Sequence, residues 1–150
     1  MPEALETLAA PTTIKRPWPP YVAGVNGLLL GPIAGTLVAW LNLRRLGNLV
    51  KAQKFLVYAA PAFLVELFIL LRLPQSSSRV FGIATTVASY KVFTFVQDPD
   101  FKRWKLGNPV EHARNGWSSL GWGIFGAVLA MAFSLGLALL MASFGLLPED

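Results

Sequence analysis

The segment Tyr21 to Leu43, YVAGVNGLLLGPIAGTLVAWLNL, runs twenty-three positions without a charge and ends directly on Arg44 and Arg45. Nothing else in the chain narrows its fold as much. About 20 apolar residues at about 1.5 Å rise cover the roughly 30 Å hydrocarbon core of a bilayer, so the segment is long enough to cross one. Gly27, Gly31 and Gly35 recur every four residues inside it, with Gly24 one turn earlier. That spacing lines one side of a helix with positions where another backbone can approach closely. Pro32 removes one backbone hydrogen bond, so a bend is expected there.

Three more apolar stretches follow, at about 55–73, 80–96 and 117–147. The third of the four is short, contains Lys91 and is rich in Thr and Ser; the last runs thirty-one residues without a charge. The expectation is an all-α fold, an integral membrane four-helix bundle occupying residues 21–147. A Pro-rich extended lead-in over 1–20 precedes it, and a short acidic tail over 148–150 follows. Composition fits this reading: 54% of residues are hydrophobic and only 14% charged, with a mean hydropathy of +0.52. The apolar residues fall in long blocks, as membrane spans require.

Orientation is read from Lys and Arg. The 43–54 connection holds Arg44, Arg45, Lys51 and Lys54; the 97–116 connection holds Lys102, Arg103, Lys105 and Arg114, with Lys91 near its edge. The other side holds Lys15, Arg16, Arg72 and Arg79, so nine basic residues face four. Four spans then put both connections in the cytoplasm, against anionic lipid headgroups, and both termini outside. Trp18 and Tyr21 at the entry of the first segment, Trp40 at its exit, and Trp104, Trp117 and Trp122 around the start of the last read as interfacial aromatic belts. In the 97–116 connection, Asn108 followed by Pro109 predicts a helix start and Gly116 its stop, so a short interfacial helix is expected over 109–115.

The net charge of +5 is explained by headgroup contact; no basic run or aromatic-basic module points to nucleic acid. The absence of cysteine excludes disulfides, thiolate metal sites and thioether haem attachment. No G-x-S-x-G, H-E-x-x-H or P-loop is present, and the QSSS turn at Gln75–Ser78 has no base beside it. A non-enzymatic chain without a cofactor or metal is therefore expected.

Three sets of residues remain as candidates. The glycine stripe is matched in the last span by Gly126, Ala130 and Ser134, again four apart. Two such stripes predict a helix-packing seam, either within the chain or to another subunit. Glu66 falls well inside the second span, where a carboxylate costs about 2.5–3.5 kcal/mol unless protonated or paired. Ala59 and Ala62 share its face, and Lys91 and Thr85 are its candidate partners by depth. It reads either as a proton or cation relay, joined by polar groups such as Asn26, Thr86 and Ser89, or as a protonated or hydrogen-bonded residue that sets helix register. His112, the single histidine, is read as a solvated residue, with an axial haem or chlorin ligand as the alternative.

GPIAG at 31–35 and LNLRRLG at 41–47, with Tyr90, Gln97 and His112 further on, give the chain a pattern over about residues 20–125. It resembles small uncharacterised bacterial multi-pass membrane proteins. The resemblance implies a bacterial multi-pass protein and transfers no activity. The expected function is that of an accessory or structural subunit in a larger membrane assembly, or a homo-oligomer, of the bacterial inner membrane. A small ion or proton transporter or channel subunit using Glu66 is the alternative, and a pigment- or haem-associated subunit using His112 a third.

Overall fold

The computed structural model describes residues 16–145; the first fifteen residues of the lead-in, the acidic tail and the end of the expected last span lie outside the described residues. Five α-helices make up the described chain, with no strand: α1 Tyr21–Leu30, α2 Pro32–Arg45, α3 Leu49–Arg72, α4 Gln75–Gly107 and α5 Leu120–Ser143. A 3-10 turn, Gly116–Ser119, leads into α5. Two helical stretches, Leu49–Arg72 and Gly116–Ser143, are long and apolar enough to cross a membrane. The all-helical expectation holds at that level.

The uncharged segment 21–43 is not one helix, which corrects the expected first span. Gly31 takes φ +92° and ψ 166°, a region of backbone space that is essentially open to glycine alone. The chain reverses there, and α2 returns along α1. Gly27 and Gly35 face each other so closely that a Cβ on Gly35 would lie 2.7 Å from the Gly27 Cα. At the open end of the hairpin the Trp18 N–H donates to Asn42 Oδ1 over 2.7 Å, and Asn42 Nδ2 donates to the Trp18 carbonyl over 2.9 Å. Pro32 does not bend a helix; it opens α2 at its first position, where its missing N–H costs nothing. The two arms have 10 and 14 residues, about 15 and 21 Å of helix, so neither alone spans a bilayer core.

Around this hairpin the other helices assemble. α1 packs on α4, and α2 packs on α3, α4 and α5, while α3 and α4 touch each other little. The core is small and sits at the hairpin: Trp18, Val22, Ala23, Val38, Ala39 and Phe93 are its buried members. Trp18 is fully buried, which corrects its assignment to an interfacial belt. Tyr21, Trp117 and Trp122 do remain exposed.

Two further expectations change. The third apolar stretch is part of a 33-residue helix, α4, which continues through Pro99 to Gly107. Polar residues 97–107 are therefore helical, held by the Lys51–Asp100 ion pair at 2.7 Å and a Lys102–Asp98 pair at 2.6 Å. No helix forms over 109–115. Asn108 terminates α4, its Nδ2 donating back to the Trp104 carbonyl over 2.8 Å. The Arg114 N–H is tied to the Pro17 carbonyl at 2.8 Å. The start signal moves to Asn115, whose side chain accepts from the Trp117 N–H at 3.1 Å and opens the 3-10 turn. A seven-residue helix would have had to repay nucleation with too few bonds.

Candidate functional site

Glu66 marks the candidate site. It is half-buried on α3 and lines a cleft of about 550 Å³ together with Tyr58, Ala59, Thr85, Ser89 and Phe93. Pro32 and Thr36, from the tip of the hairpin, close its inner wall. The cleft exists because α3 and α4 are held apart: α2 and the Phe55–Phe93 edge contact, with ring centroids 6.0 Å apart, fill the space between them nearer the Lys51–Asp100 end. Thr85 spends its hydroxyl on the Gly82 carbonyl at 3.1 Å, and Thr86 does the same at 2.7 Å. Among the described residues, Glu66 has neither an ion-pair nor a hydrogen-bond partner.

Depth along the helices explains which groups meet. From the Lys51–Asp100 pair, Glu66 lies fifteen residues along α3 and Thr85 fifteen along α4, about 22 Å in each case. The hairpin tip is eleven residues from Asn42, about 16 Å, and so reaches a similar level. Lys91 sits six residues from Thr85, about 9 Å away in level, is exposed, and does not line the cleft. It is not the partner of Glu66, contrary to expectation.

Asn26 belongs elsewhere. It is buried between the hairpin and α5, where its Nδ2 donates to the Val22 carbonyl and to Ser119 Oγ, each at 2.9 Å. Its Oδ1 is unpaired and faces Gly123, whose lack of a Cβ makes room for it. Asn26 therefore locks α1 to the start of α5 and takes no part in the Glu66 cleft.

The small residues pack inside the chain. Gly24 lies under Tyr90, Gly27 and Gly35 lie under Phe93, and a Cβ on Gly126 would come 2.7 Å from the Ala34 Cα. Gly31 supplies the turn and packs on nothing. Ala130 and Ser134 are half-buried. The two expected stripes do not meet as one seam: Gly24, Gly27 and Gly35 face α4 and each other, while α5 meets the hairpin through Gly126 and through Gly123, which lies outside the expected stripe.

A buried polar cluster, not singled out from sequence as a unit, holds the base of the hairpin. Asn42 Nδ2 also donates to Gln97 Oε1 at 2.7 Å, Gln97 Nε2 donates to the Phe93 carbonyl at 2.7 Å, and Trp18 Nε1 donates to Ser118 Oγ at 2.7 Å. Asn42, Gln97 and Ser119 are all buried. Polar residues set into apolar runs, Asn42 above all, were the available signal.

The basic residues gather near this base. Arg45 stacks over the Trp18 ring at 3.6 Å, and burial together with Arg114 pushes its guanidinium pKa below its usual value. Arg44 stacks over Trp40 at 4.9 Å. Lys54, Arg103 and Lys105 occupy the same end of α3 and α4. His112 is exposed in the connection before the 3-10 turn, and no group of three or more His, Asp or Glu among the described residues is placed to hold a metal ion. Comparison with protein-family models, with curated proteins and with solved structures finds no match for this chain.

Proposed function

We propose that the chain is a non-enzymatic, multi-pass protein of a bacterial inner membrane and works as a subunit of a larger assembly, either with copies of itself or with other membrane proteins. Helix length and helix exposure support a bilayer placement. Lys51 and Arg72 on α3, and Asp100 and Arg79 on α4, are each twenty-one residue steps apart, about 32 Å of helix, which matches a hydrocarbon core. Only 6% of the apolar window of α3 and 11% of that of α5 is buried inside the chain; helices apolar on every side need an apolar surround.

In this proposal α3, α4 and α5 cross and the hairpin is re-entrant, so the first segment enters and leaves on one face. Arg16 then joins the Arg44–Lys54 and Lys102–Arg114 groups. Ten basic residues among those described lie toward one face, counting Lys91, and Arg72 and Arg79 lie toward the other. Over the same described residues a four-span reading gives nine against three, so this asymmetry is sharper and favours a cytoplasmic basic face. It replaces the expectation that both termini face outward: residue 16 is cytoplasmic, and the C-terminal end of α5 is outside.

The observation that carries the subunit reading is Glu66. A carboxylate about 22 Å along α3 from the basic end, in a mostly apolar cleft and without a partner among the described residues, is a place for a donor from a neighbouring subunit. Alanines and Ser89 on the cleft walls admit a neighbouring helix closely. Cross-linking in native membranes tests this. A defined oligomer or hetero-complex is expected, and Glu66→Leu should weaken it; a strict monomer would remove the proposal.

A second reading, a small cation or proton transporter, is favoured by one feature: the tip of a re-entrant hairpin lines the same cleft as Glu66, and broken helices in membranes occur where protein or a water-filled cavity satisfies their backbone. Proton or cation flux in reconstituted vesicles, lost in Glu66→Gln, would support it. Flux that is absent, or equal in both proteins, rejects it.

A further inference from the structure

Three arginines converge on the Pro17–Trp18 segment. Arg45 lies over the Trp18 ring at 3.6 Å and its Nη1 meets the Arg16 carbonyl at 3.4 Å. Arg114 is tied to the Pro17 carbonyl through its N–H at 2.8 Å. Among the described residues one carboxylate answers them, Glu111, at 3.7 Å from Arg16 Nε. Burial first, and the neighbouring Arg114 second, lower the Arg45 pKa; a partly desolvated guanidinium gains from an anion beside it.

A groove of about 280 Å³ runs between α1 and the start of α5, and its lining residue Asn115 directly follows Arg114 in the chain. Its polar mouth is Asn115, and its walls include Val22, Val25, Leu29 and Leu30. From Val22 to Leu30 it follows α1 for about 12 Å toward the hairpin tip. Tyr21 and Trp117, which also line it, are 53% and 77% exposed; amphipathic rings of this kind sit at headgroup level.

We propose that this rim binds one anionic phospholipid, with its phosphate held by Arg16, Arg45 and Arg114 and one acyl chain laid in the α1–α5 groove. The inference rests on the membrane reading above. A free phosphate leaves the apolar groove unfilled, and a zwitterionic lipid brings its phosphate with a headgroup cation that the three arginines repel; a single lipid of net negative charge answers both. The arrangement also gives the re-entrant hairpin an outer flank, since its α1 face is otherwise exposed at Val25, Leu28 and Leu29.

The test uses the full chain in mild detergent, titrated with phosphatidylglycerol or phosphatidylcholine and read by native mass spectrometry. Phosphatidylglycerol should be retained in preference. Arg16→Gln and Arg114→Gln, both at exposed side chains that leave the Arg45–Trp18 stack in place, should each weaken it about fivefold and leave phosphatidylcholine unchanged. Val25→Trp, which fills the groove, should weaken retention of both lipids. Glycerol 3-phosphate should not compete. Equal retention of the two lipids, indifference to both arginine variants, or full competition by glycerol 3-phosphate would each overturn the proposal. Alkaline carbonate extraction of the membranes separates the two readings: a chain that stays inserted yet shows no anionic preference refutes this site alone, whereas an extracted chain refutes the membrane reading.

Discussion

Gly31→Ala tests the hairpin by the sign of its effect. In a continuous helix across residues 21–43, replacing an interior glycine by alanine stabilises by about 1 kcal/mol, because alanine loses less backbone entropy. At φ +92° and ψ 166° the same change is opposed: a Cβ in that region costs about 1–3 kcal/mol. No neighbouring atom lies within 4 Å of the added Cβ, so the penalty comes from the backbone alone, free of packing effects. For a chain of this size the expected result is a fall in melting temperature of about 2–12 °C, read by circular dichroism in one detergent. A rise in melting temperature would refute the reversal at Gly31. Labelling gives an independent check, because the chain has no cysteine of its own. Single cysteines at Arg16 and at Arg44 should react with an impermeant maleimide from the same side of sealed vesicles; opposite sides would restore a crossing helix.

Other perturbations follow from the same geometry. Gly126→Leu forces a side chain toward the Ala34 backbone and should separate α5 from the hairpin, at about 1–3 kcal/mol or more, seen as a lower unfolding midpoint; an unchanged midpoint would show that α5 does not pack there. Asn42→Leu strands the Trp18 backbone groups and Gln97 Oε1, at about 1–3 kcal/mol for each buried group left unpaired, and the Trp18 fluorescence should shift toward that of exposed indole. Lys51→Ala leaves the Asp100 carboxylate with Asn48 as its hydrogen-bond donor and should destabilise, while Lys54→Ala should be nearly silent; equal effects in a denaturant titration would count against the α3–α4 anchor.

Some of this architecture was legible in the chain itself. The all-helical character followed from long uncharged runs, which leave backbone groups to be satisfied within their own segments. The closeness demanded by Gly24, Gly27, Gly35 and Gly126 was also readable, since a missing Cβ at helical spacing has few other uses. Glu66 stood out because a carboxylate in an apolar run is costly; Thr85 lines the same cleft, although its hydroxyl is spent on the Gly82 carbonyl.

What the sequence could not distinguish is a helix that continues from one that turns back. Composition from Tyr21 to Leu43 is the same in both cases, and periodicity survives a reversal centred on a glycine. The decision lies in tertiary contacts: Asn42 pairing with Trp18 and Gln97, and Gly27 against Gly35, hold the reversal only when all three helices are in place. In the proposed topology the reversal also puts Arg16 on the same side as Arg44, and it turns Gly27 and Gly35 toward each other. Local residue types determined that these segments are helical and apolar. Long-range hydrogen bonds, which depend on residues far apart in the chain, decided where the helices stop and which faces they share.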